Sequence, residues 1–162
     1  MQQNLLRFFL DDVKIEEIMS RTFVKVYEDE PVSIVQEKFI QHNASHMVVV
    51  DRNQKLTGVI SRKYVYKTRS PRKIIGREVS YDPNVLIDGE SYYEKETLDG
   101  LILKNIMNQT PFTLTPEDTA TQALANIAKK QISFIPVIDG NRRVVGTLSD
   151  YNVISFIARV IC

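Results

Sequence analysis

The chain of 162 residues contains one cysteine, Cys162, and lacks any long hydrophobic run. A single cysteine excludes an internal disulfide framework and favours a reducing compartment. The apolar residues near the start, 5–10, are interrupted by Arg7 and followed by Asp11 and Asp12. This pattern indicates neither a signal peptide nor a membrane-spanning helix. We therefore expect a cytoplasmic protein with no membrane segment.

The sequence also lacks an excess of charge of either sign. It has 21 lysines and arginines against 20 aspartates and glutamates, for a net charge of +1. A basic segment, 62–77, is followed by an acidic one, 78–99, but little aromatic character is interleaved with the basic residues. Nucleic-acid binding domains carry a larger positive excess. We therefore expect no nucleic-acid partner.

Catalytic motifs are missing as well. The sequence contains no nucleophile elbow, no cysteine and histidine pairing, no Walker loop and no Gly-x-Gly-x-x-Gly. The two histidines, His42 and His46, straddle the end of one predicted element and the start of the next, so a shared metal ion is not predicted. These absences favour a binding or regulatory protein over an enzyme, with no metal and no required cofactor.

The strongest positive feature is an internal repeat. Residues 15–66 align without a gap to residues 103–154, at an offset of 88, with ten identical pairs. In the first copy the identical residues are Ile18, Met19, Thr22, Ser45, Val49, Asp51, Asn53, Gly58, Ser61 and Val65. A unit that cannot bury its apolar face alone packs on a copy of itself. The repeat thus predicts a pseudo-twofold module with two equivalent clefts.

Each copy predicts the order strand, helix, strand, strand, helix, and hence a two-layered α/β (α+β) fold. Alternating or short apolar runs between turn signals predict strands over 22–27, 46–50 and 56–60, and over 111–115, 133–138 and 143–148. Helices are predicted from Pro31 to His42, from Thr119, and from Ser149 to Val160. The chain divides into a helical N-terminal extension (1–12), a first repeat (13–68), an insertion (69–100) with Tyr81, Tyr92 and Tyr93 in a hairpin or loop, and a second repeat (101–162).

The motif Gly-x-x-Ser occurs at equivalent places, Gly58 to Ser61 and Gly146 to Ser149. Each copy puts a glycine on a strand and a serine at a helix start. Free amides and the positive end of the helix dipole at such a place favour a phosphate or a sugar hydroxyl. A serine that caps its helix without any ligand gives the same pattern, and both interpretations stay open.

The duplicated Ile-Met, Thr, Ser-x-x-(Pro)-Val-x-Asp and Gly-x-x-Ser pattern resembles a tandem pair of cystathionine-β-synthase (CBS) domains, the Bateman module, over about residues 13–158. The resemblance implies two β-α-β-β-α repeats, two clefts, frequent dimerisation and regulation by adenosine-containing ligands. In that family the serine and an acid three residues later hold the ribose. Here Tyr64 and Asn152 occupy those positions, and neither is an acid.

The resemblance also implies which residues share a cleft. One cleft would combine Thr147, Ser149 and Asn152 with Thr22, Val24, Ala44, Ser45, His46, Val48 and, as a phosphate cation, Lys63. The other would combine Ser61 and Tyr64 with Thr110, Phe112, Ile132, Phe134, Pro136 and Tyr151, crowded with rings and without a cation. We expect the first cleft to be occupied and the second to be vestigial.

The leading hypothesis is a regulatory module that binds AMP, ADP or ATP, with S-adenosylmethionine as an alternative, and signals to an unidentified effector protein. The apolar residues of the final helix cover more of its surface than the single stripe that would pack on the protein's own core. The remaining apolar surface favours a homodimer. The alternative hypothesis is a ligand-free dimerising scaffold, since both ribose acids are missing.

Overall fold

The computed structural model describes residues 10–67, 73–75, 78–80 and 100–161. The helices are α1 (Ile15–Ile18), α2 (Val32–Gln41), α3 (Arg62–Lys67), α4 (Ala120–Lys130) and α5 (Asp150–Ile161), with a 3₁₀ turn at Leu103–Asn105. The strands are β1 (Lys25–Tyr27), β2 (His46–Val50), β3 (Leu56–Ser61), β4 (Lys73–Ile75), β5 (Glu78–Ser80), β6 (Phe134–Ile138) and β7 (Val144–Ser149). This order confirms the predicted α/β fold class.

The strands of each repeat pair as the repeated pattern predicts. In the first repeat β1 runs parallel to β2, and β2 runs antiparallel to β3. In the second repeat β6 and β7 form the matching antiparallel pair. The turns that join these pairs begin at Asp51 and Asp139, whose side chains accept backbone N–H groups from the residues two and four positions later. This shared turn explains why both aspartates recur.

The first strand of the second repeat is the main departure from the predicted elements. The segment 111–115 forms only one parallel bridge, between Leu114 and Val137. In the first repeat the N–H of Val48 donates to the carbonyl of Val24 (3.1 Å). The equivalent position in β6 is Pro136, which has no N–H to donate. The strand predicted over 111–115 is therefore wrong, because a proline removes the bond that would extend it.

The first segment of each repeat crosses to the other repeat. The N–H of Ile15 donates to the carbonyl of Asp118 (2.9 Å), and the N–H of Leu103 donates to the carbonyl of Glu30 (3.0 Å). The two bonds are related by the offset of 88. Each repeat therefore begins with a segment that belongs to the fold of its partner.

The two hydrophobic cores among the described residues follow from this exchange. Around β6, β7 and α4 the core includes four residues from before β1: Leu10, Val13, Ile15 and Ile18. Around β1, β2 and α2 it includes Leu103 and Met107 from the other crossing segment. Ile15 and Leu103 are both fully buried. The crossing segments thus complete both cores and join the repeats.

The recurring glycines lie where the crossing segments pass over the sheets. A Cβ atom on Gly58 would lie 2.6 Å from the carbonyl oxygen of Asn108. A Cβ atom on Gly146 would lie 2.5 Å from Met19 Sδ and 3.0 Å from the carbonyl oxygen of Ser20. The close approach at these glycines is therefore made by the other repeat, and this explains why the Ile-Met pair and the glycine recur together.

Two predictions fall partly outside the described residues. Of the N-terminal extension, residues 10–12 are helical and the rest is not described. From the insertion, β4 and β5 form an antiparallel hairpin. Tyr81, Tyr92 and Tyr93 lie outside the described residues, as does most of the acidic segment.

Candidate ligand-binding cleft

A cavity of about 480 Å³ opens between the two repeats. We call it the Thr22–Tyr151 cleft. The first repeat contributes Thr22, Phe23, Val24, Ala44, Ser45 and His46. The second repeat contributes Ser133, Phe134, Thr147, Ser149, Asp150 and Tyr151. The walls thus combine aromatic rings and aliphatic side chains with several hydroxyl groups.

Seven of the ten site residues proposed from the sequence line this cleft: Thr22, Val24, Ala44, Ser45, His46, Thr147 and Ser149. The other three, Val48, Lys63 and Asn152, do not. Val48 is fully buried within the sheet, where it pairs with Lys25 on one side and Val59 on the other. The lining of the cavity does not include Val48, and its proposed contact with a ligand stays a prediction.

Asn152 caps the start of α5 instead of facing the cleft. Its Oδ1 accepts the backbone N–H of Ser149 (2.9 Å) and the hydroxyl of Ser149 (2.7 Å). The Ser149 Oγ in turn accepts the N–H of Asn152 (3.2 Å). This reciprocal pattern is that of a capping box, which satisfies amides that the first turn leaves free. The Asn152 oxygen is thus engaged within the protein, and its proposed contact with ribose stays a prediction.

Lys63 lies across the pseudo-twofold axis from its proposed position. With Asn43, Ser61 and Arg62 it lines an adjoining hollow of about 670 Å³, which we call the Lys63 hollow. In the Thr22–Tyr151 cleft the equivalent position is occupied by Tyr151. The sequence-based assignment exchanged Lys63 and Tyr151, although Tyr151 follows Ser149 within one helical turn and must lie on the same side.

The pseudo-twofold axis passes close to the start of β2 and β6. There the equivalent residues His46 and Phe134 stack with ring centroids 4.9 Å apart and planes 8° from parallel. Ser45, His46 and Ser133 border both the cleft and the Lys63 hollow. Phe134 was assigned to the other cleft, but its position on the axis brings it to this one.

The environment of His46 favours the neutral imidazole. Burial lowers the pKa of His46 below its ordinary value of 6.5, and the negative charge of Asp150 offsets part of that shift. Below pH 6.5 the unfolded chain therefore binds more protons at His46 than the folded chain does. The free energy of unfolding should fall as the pH decreases from 6.5 through the pKa of His46 in the folded chain.

Replacing His46 with phenylalanine should remove this pH dependence. The variant copies the residue at the equivalent position, Phe134, and keeps an aromatic ring in the stack. Urea denaturation midpoints at pH 7.5 and 5.5 measure the effect. The native chain should lose more stability between these values than His46→Phe. Equal losses would mean that His46 does not cause the pH dependence.

The other cleft is not free of cations. A hollow of about 520 Å³ beside Thr110, Phe112 and Ile132 is also lined by Lys130. The ammonium of Lys130 lies 4.6 Å from the centroid of the Phe112 ring, a cation–π contact. Tyr64, expected to intrude there, is 55% exposed and is not one of the lining residues. The expectation of a cleft with no cation is therefore wrong.

Three residues of the Thr22–Tyr151 cleft were missed: Phe23, Ser133 and Asp150. The repeat offset was a usable signal for Ser133, which is equivalent to the proposed Ser45. The signal for Asp150 was its position directly after the proposed Ser149. Applying the offset to both walls of the cleft would have found Ser133.

No three histidine, cysteine, aspartate or glutamate side chains of the described residues gather where a metal ion could bind. None of the described helices is long and apolar enough to cross a bilayer.

A family profile described as the CBS domain matches residues 15–70 and 103–159. The chain belongs to the CBS domain family. Its two matched segments coincide with the two copies of the repeat and confirm a tandem CBS pair. The exchange of leading segments and the cleft between the copies are therefore features of this CBS pair.

The proteins similar to this CBS pair include an enzyme and two proteins of known structure. Homoserine O-acetyltransferase of Methanococcus vannielii is 24% identical over 145 residues, which cover 90% of this chain and 25% of that protein. The chain thus spans about a quarter of the length of the curated relatives it matches.

Two solved structures share the fold. The CBS domain pair of protein MJ0100, in complex with 5′-methylthioadenosine and S-adenosyl-L-methionine, has a TM-score of 0.68 and 18% identity, covering 91% of this chain and 98% of its own. CBSX2 in complex with AMP has a TM-score of 0.69 and 14% identity, covering 93% and 99%. At these identities the likeness establishes the fold.

Proposed function

We propose that this CBS pair is a regulatory module that binds an adenosine-containing ligand in the Thr22–Tyr151 cleft. The observation that carries the proposal is the composition of the cleft between the repeats. Phe23, Phe134 and Tyr151 offer rings against which a purine could pack, worth about 1–3 kcal/mol per stacked base. Ser45 and Ser133 offer hydroxyls for ribose.

The size of the cleft and the ligands of similar folds support the same ligand class. A volume of about 480 Å³ lies within the usual range for small-molecule sites, about 300–1,000 Å³. The pair from MJ0100 was solved with 5′-methylthioadenosine and S-adenosyl-L-methionine, and CBSX2 with AMP. Adenosine is common to all three ligands.

Calorimetric titration with adenosine, AMP, ADP, ATP, 5′-methylthioadenosine and S-adenosylmethionine tests the proposal. We expect at least one ligand to bind and to raise the melting temperature. A ligand at a hundred times its dissociation constant stabilises the folded state by about 2.7 kcal/mol. If no ligand binds at millimolar concentration, the proposed function is wrong for this class.

A pair of matched variants locates the binding. Thr22→Trp should abolish the titration heat, because a bulky ring at the exposed rim would fill the cleft. Thr110→Trp makes the same change at the equivalent position of the other cleft and should leave binding unaltered. The reverse result would place the ligand beside Phe112 and Lys130.

We further propose that binding is communicated through the exposed face of α5, which would mediate a homodimer. Tyr151 and Ile154 are 73% and 64% exposed, and with Ala158 they form one stripe at helical spacing. Tyr151 belongs to both the stripe and the cleft. A ligand that moves Tyr151 would change the surface presented to another chain.

The effector that receives this signal stays a prediction, as do a cytoplasmic location and the absence of catalysis.

Ile154→Glu should weaken self-association at least about tenfold, since it places a charge in the centre of an apolar contact. Sedimentation equilibrium measures the change. Glu37→Gln, on the exposed side of α2, is the control for altered charge. An unchanged dimer, or a monomeric native chain, would contradict this role of the stripe.

If the dimer forms and no nucleotide binds, the second candidate function, a ligand-free dimerising scaffold, is favoured.

A further inference from the structure

The Thr22–Tyr151 cleft has an unusual charge for a nucleotide site. Among the described residues that line it, Asp150 is the only one with a formal charge, and that charge is negative. At the offset of 88 the equivalent residue is Arg62, which lines the Lys63 hollow on the other side of the axis. The two repeats therefore differ in the sign of the charge at the same structural position.

The helix start beside the cleft offers no free amide to an anion. The N–H of Ser149 donates to the Asn152 side chain, and the N–H of Asp150 donates to the carbonyl of Ser133 (3.2 Å). The N–H of Tyr151 donates to the Asp150 carboxylate (2.8 Å), and the N–H of Asn152 donates to Ser149 Oγ. Anion sites at helix starts depend on amides of this kind, and here each has a protein acceptor.

The two nearby cations, Arg62 and Lys63, are not among the residues that line the cleft. Arg62 Nε donates to the carbonyl of Ala44 (2.8 Å), and its Nη2 reaches the side chain of Asn43 (3.3 Å). Lys63 lines the adjoining hollow, across the wall formed by Ser45, His46 and Ser133. His46 faces the cleft, but burial lowers its pKa and leaves the imidazole predominantly neutral at neutral pH. None of the described lining residues thus supplies a positive charge to balance a phosphate.

From this charge distribution we infer that the cleft selects adenosyl ligands whose 5′ substituent is uncharged or cationic, such as a thioether or a sulfonium, and that Asp150 discriminates against 5′-phosphates. This inference rests on the proposed function and narrows its ligand class. It replaces the expectation of AMP, ADP or ATP that assumed Lys63 as a phosphate partner.

Comparing 5′-methylthioadenosine, S-adenosylmethionine, AMP and ATP in one calorimetric series tests the inference. Repulsion between a carboxylate and a phosphate near a protein surface makes about a tenfold difference in affinity or more. We expect the uncharged and cationic ligands to bind at least about tenfold more tightly than AMP, and ATP to bind more weakly than AMP. AMP binding as tightly as 5′-methylthioadenosine would overturn the inference and leave adenosine binding intact. Binding of none of the four would overturn the proposed function as well.

Variants of Asp150 test its part in the selection. Asp150→Asn keeps an acceptor for the N–H of Tyr151 and removes the charge, so AMP affinity should rise several-fold while that for 5′-methylthioadenosine changes less than about twofold. Asp150→Arg copies Arg62 and should raise AMP affinity further. Glu37→Gln removes one negative charge away from the cleft and should leave the ratio of affinities unchanged. If Asp150→Asn also leaves the ratio unchanged, Asp150 is not the selecting group.

Discussion

Replacing Ile15 with alanine is expected to destabilise the core of the second repeat, although Ile15 lies at the start of the first repeat in the sequence. Ile15 is fully buried in the core formed around β6, β7 and α4. Truncation of a buried isoleucine to alanine costs about 2–5 kcal/mol, from lost burial and the cavity left behind. Urea denaturation should show this loss in the free energy of unfolding.

Hydrogen exchange identifies which repeat is weakened. In Ile15→Ala, amides of β6 and β7 should lose more protection than those of β2 and β3, because the missing side chain supports the former pair. Ile40→Ala is the matched control: Ile40 is 64% exposed on α2, and its truncation should cost less than about 1 kcal/mol. Greater loss of protection in β2 and β3 would contradict the crossed arrangement.

A methyl group on Gly58 is expected to force the two repeats apart. Its Cβ would lie 2.6 Å from the carbonyl oxygen of Asn108, a backbone atom held by reciprocal hydrogen bonds between Asn108 and Val59. Overpacking of this kind costs about 1–3 kcal/mol, and we expect Gly58→Ala to lie at the upper end since a backbone atom must move. The denaturation midpoint in urea measures the loss.

Two further glycine variants calibrate that result. Gly146→Ala should cost less than Gly58→Ala, because its nearest neighbour is the sulfur of Met19, on a flexible side chain. Gly140→Ala should change stability by no more than about 0.5 kcal/mol, since no atom lies within 4 Å of the added Cβ. Similar losses in all three variants would mean that the crossing segments do not impose the glycines.

Local sequence patterns were sufficient to predict most helices and strands of the two repeats, and the strand over 111–115 is the exception. The α2 helix begins after Pro31 and α4 after Thr119, whose side chain and that of Gln122 form a capping box. The apolar runs that predicted β2 and β6 end at Val50 and Ile138, as expected. These features depend on hydrogen bonds and periodicity within short stretches of chain, which the residues themselves specify.

Contacts between the repeats were harder to predict. The alignment shows that Ile15 and Leu103 are equivalent, but it does not show which core either one enters. The alignment also shows that Lys63 and Tyr151 are equivalent. The sequence-based prediction placed each of them in the cleft to which the other belongs. The sequence shows that Asn152 carries a side-chain oxygen that can accept hydrogen bonds. It does not show whether that oxygen binds a ligand or the protein's own groups at the start of α5.

A crystal structure of the chain grown with 5′-methylthioadenosine would show directly which cleft binds the adenosyl group. We expect one adenosyl group bound between Val24 and Tyr151, near the stacked rings of His46 and Phe134, with the cleft beside Phe112 and Lys130 empty. A ligand bound only beside Lys130 would contradict this expectation.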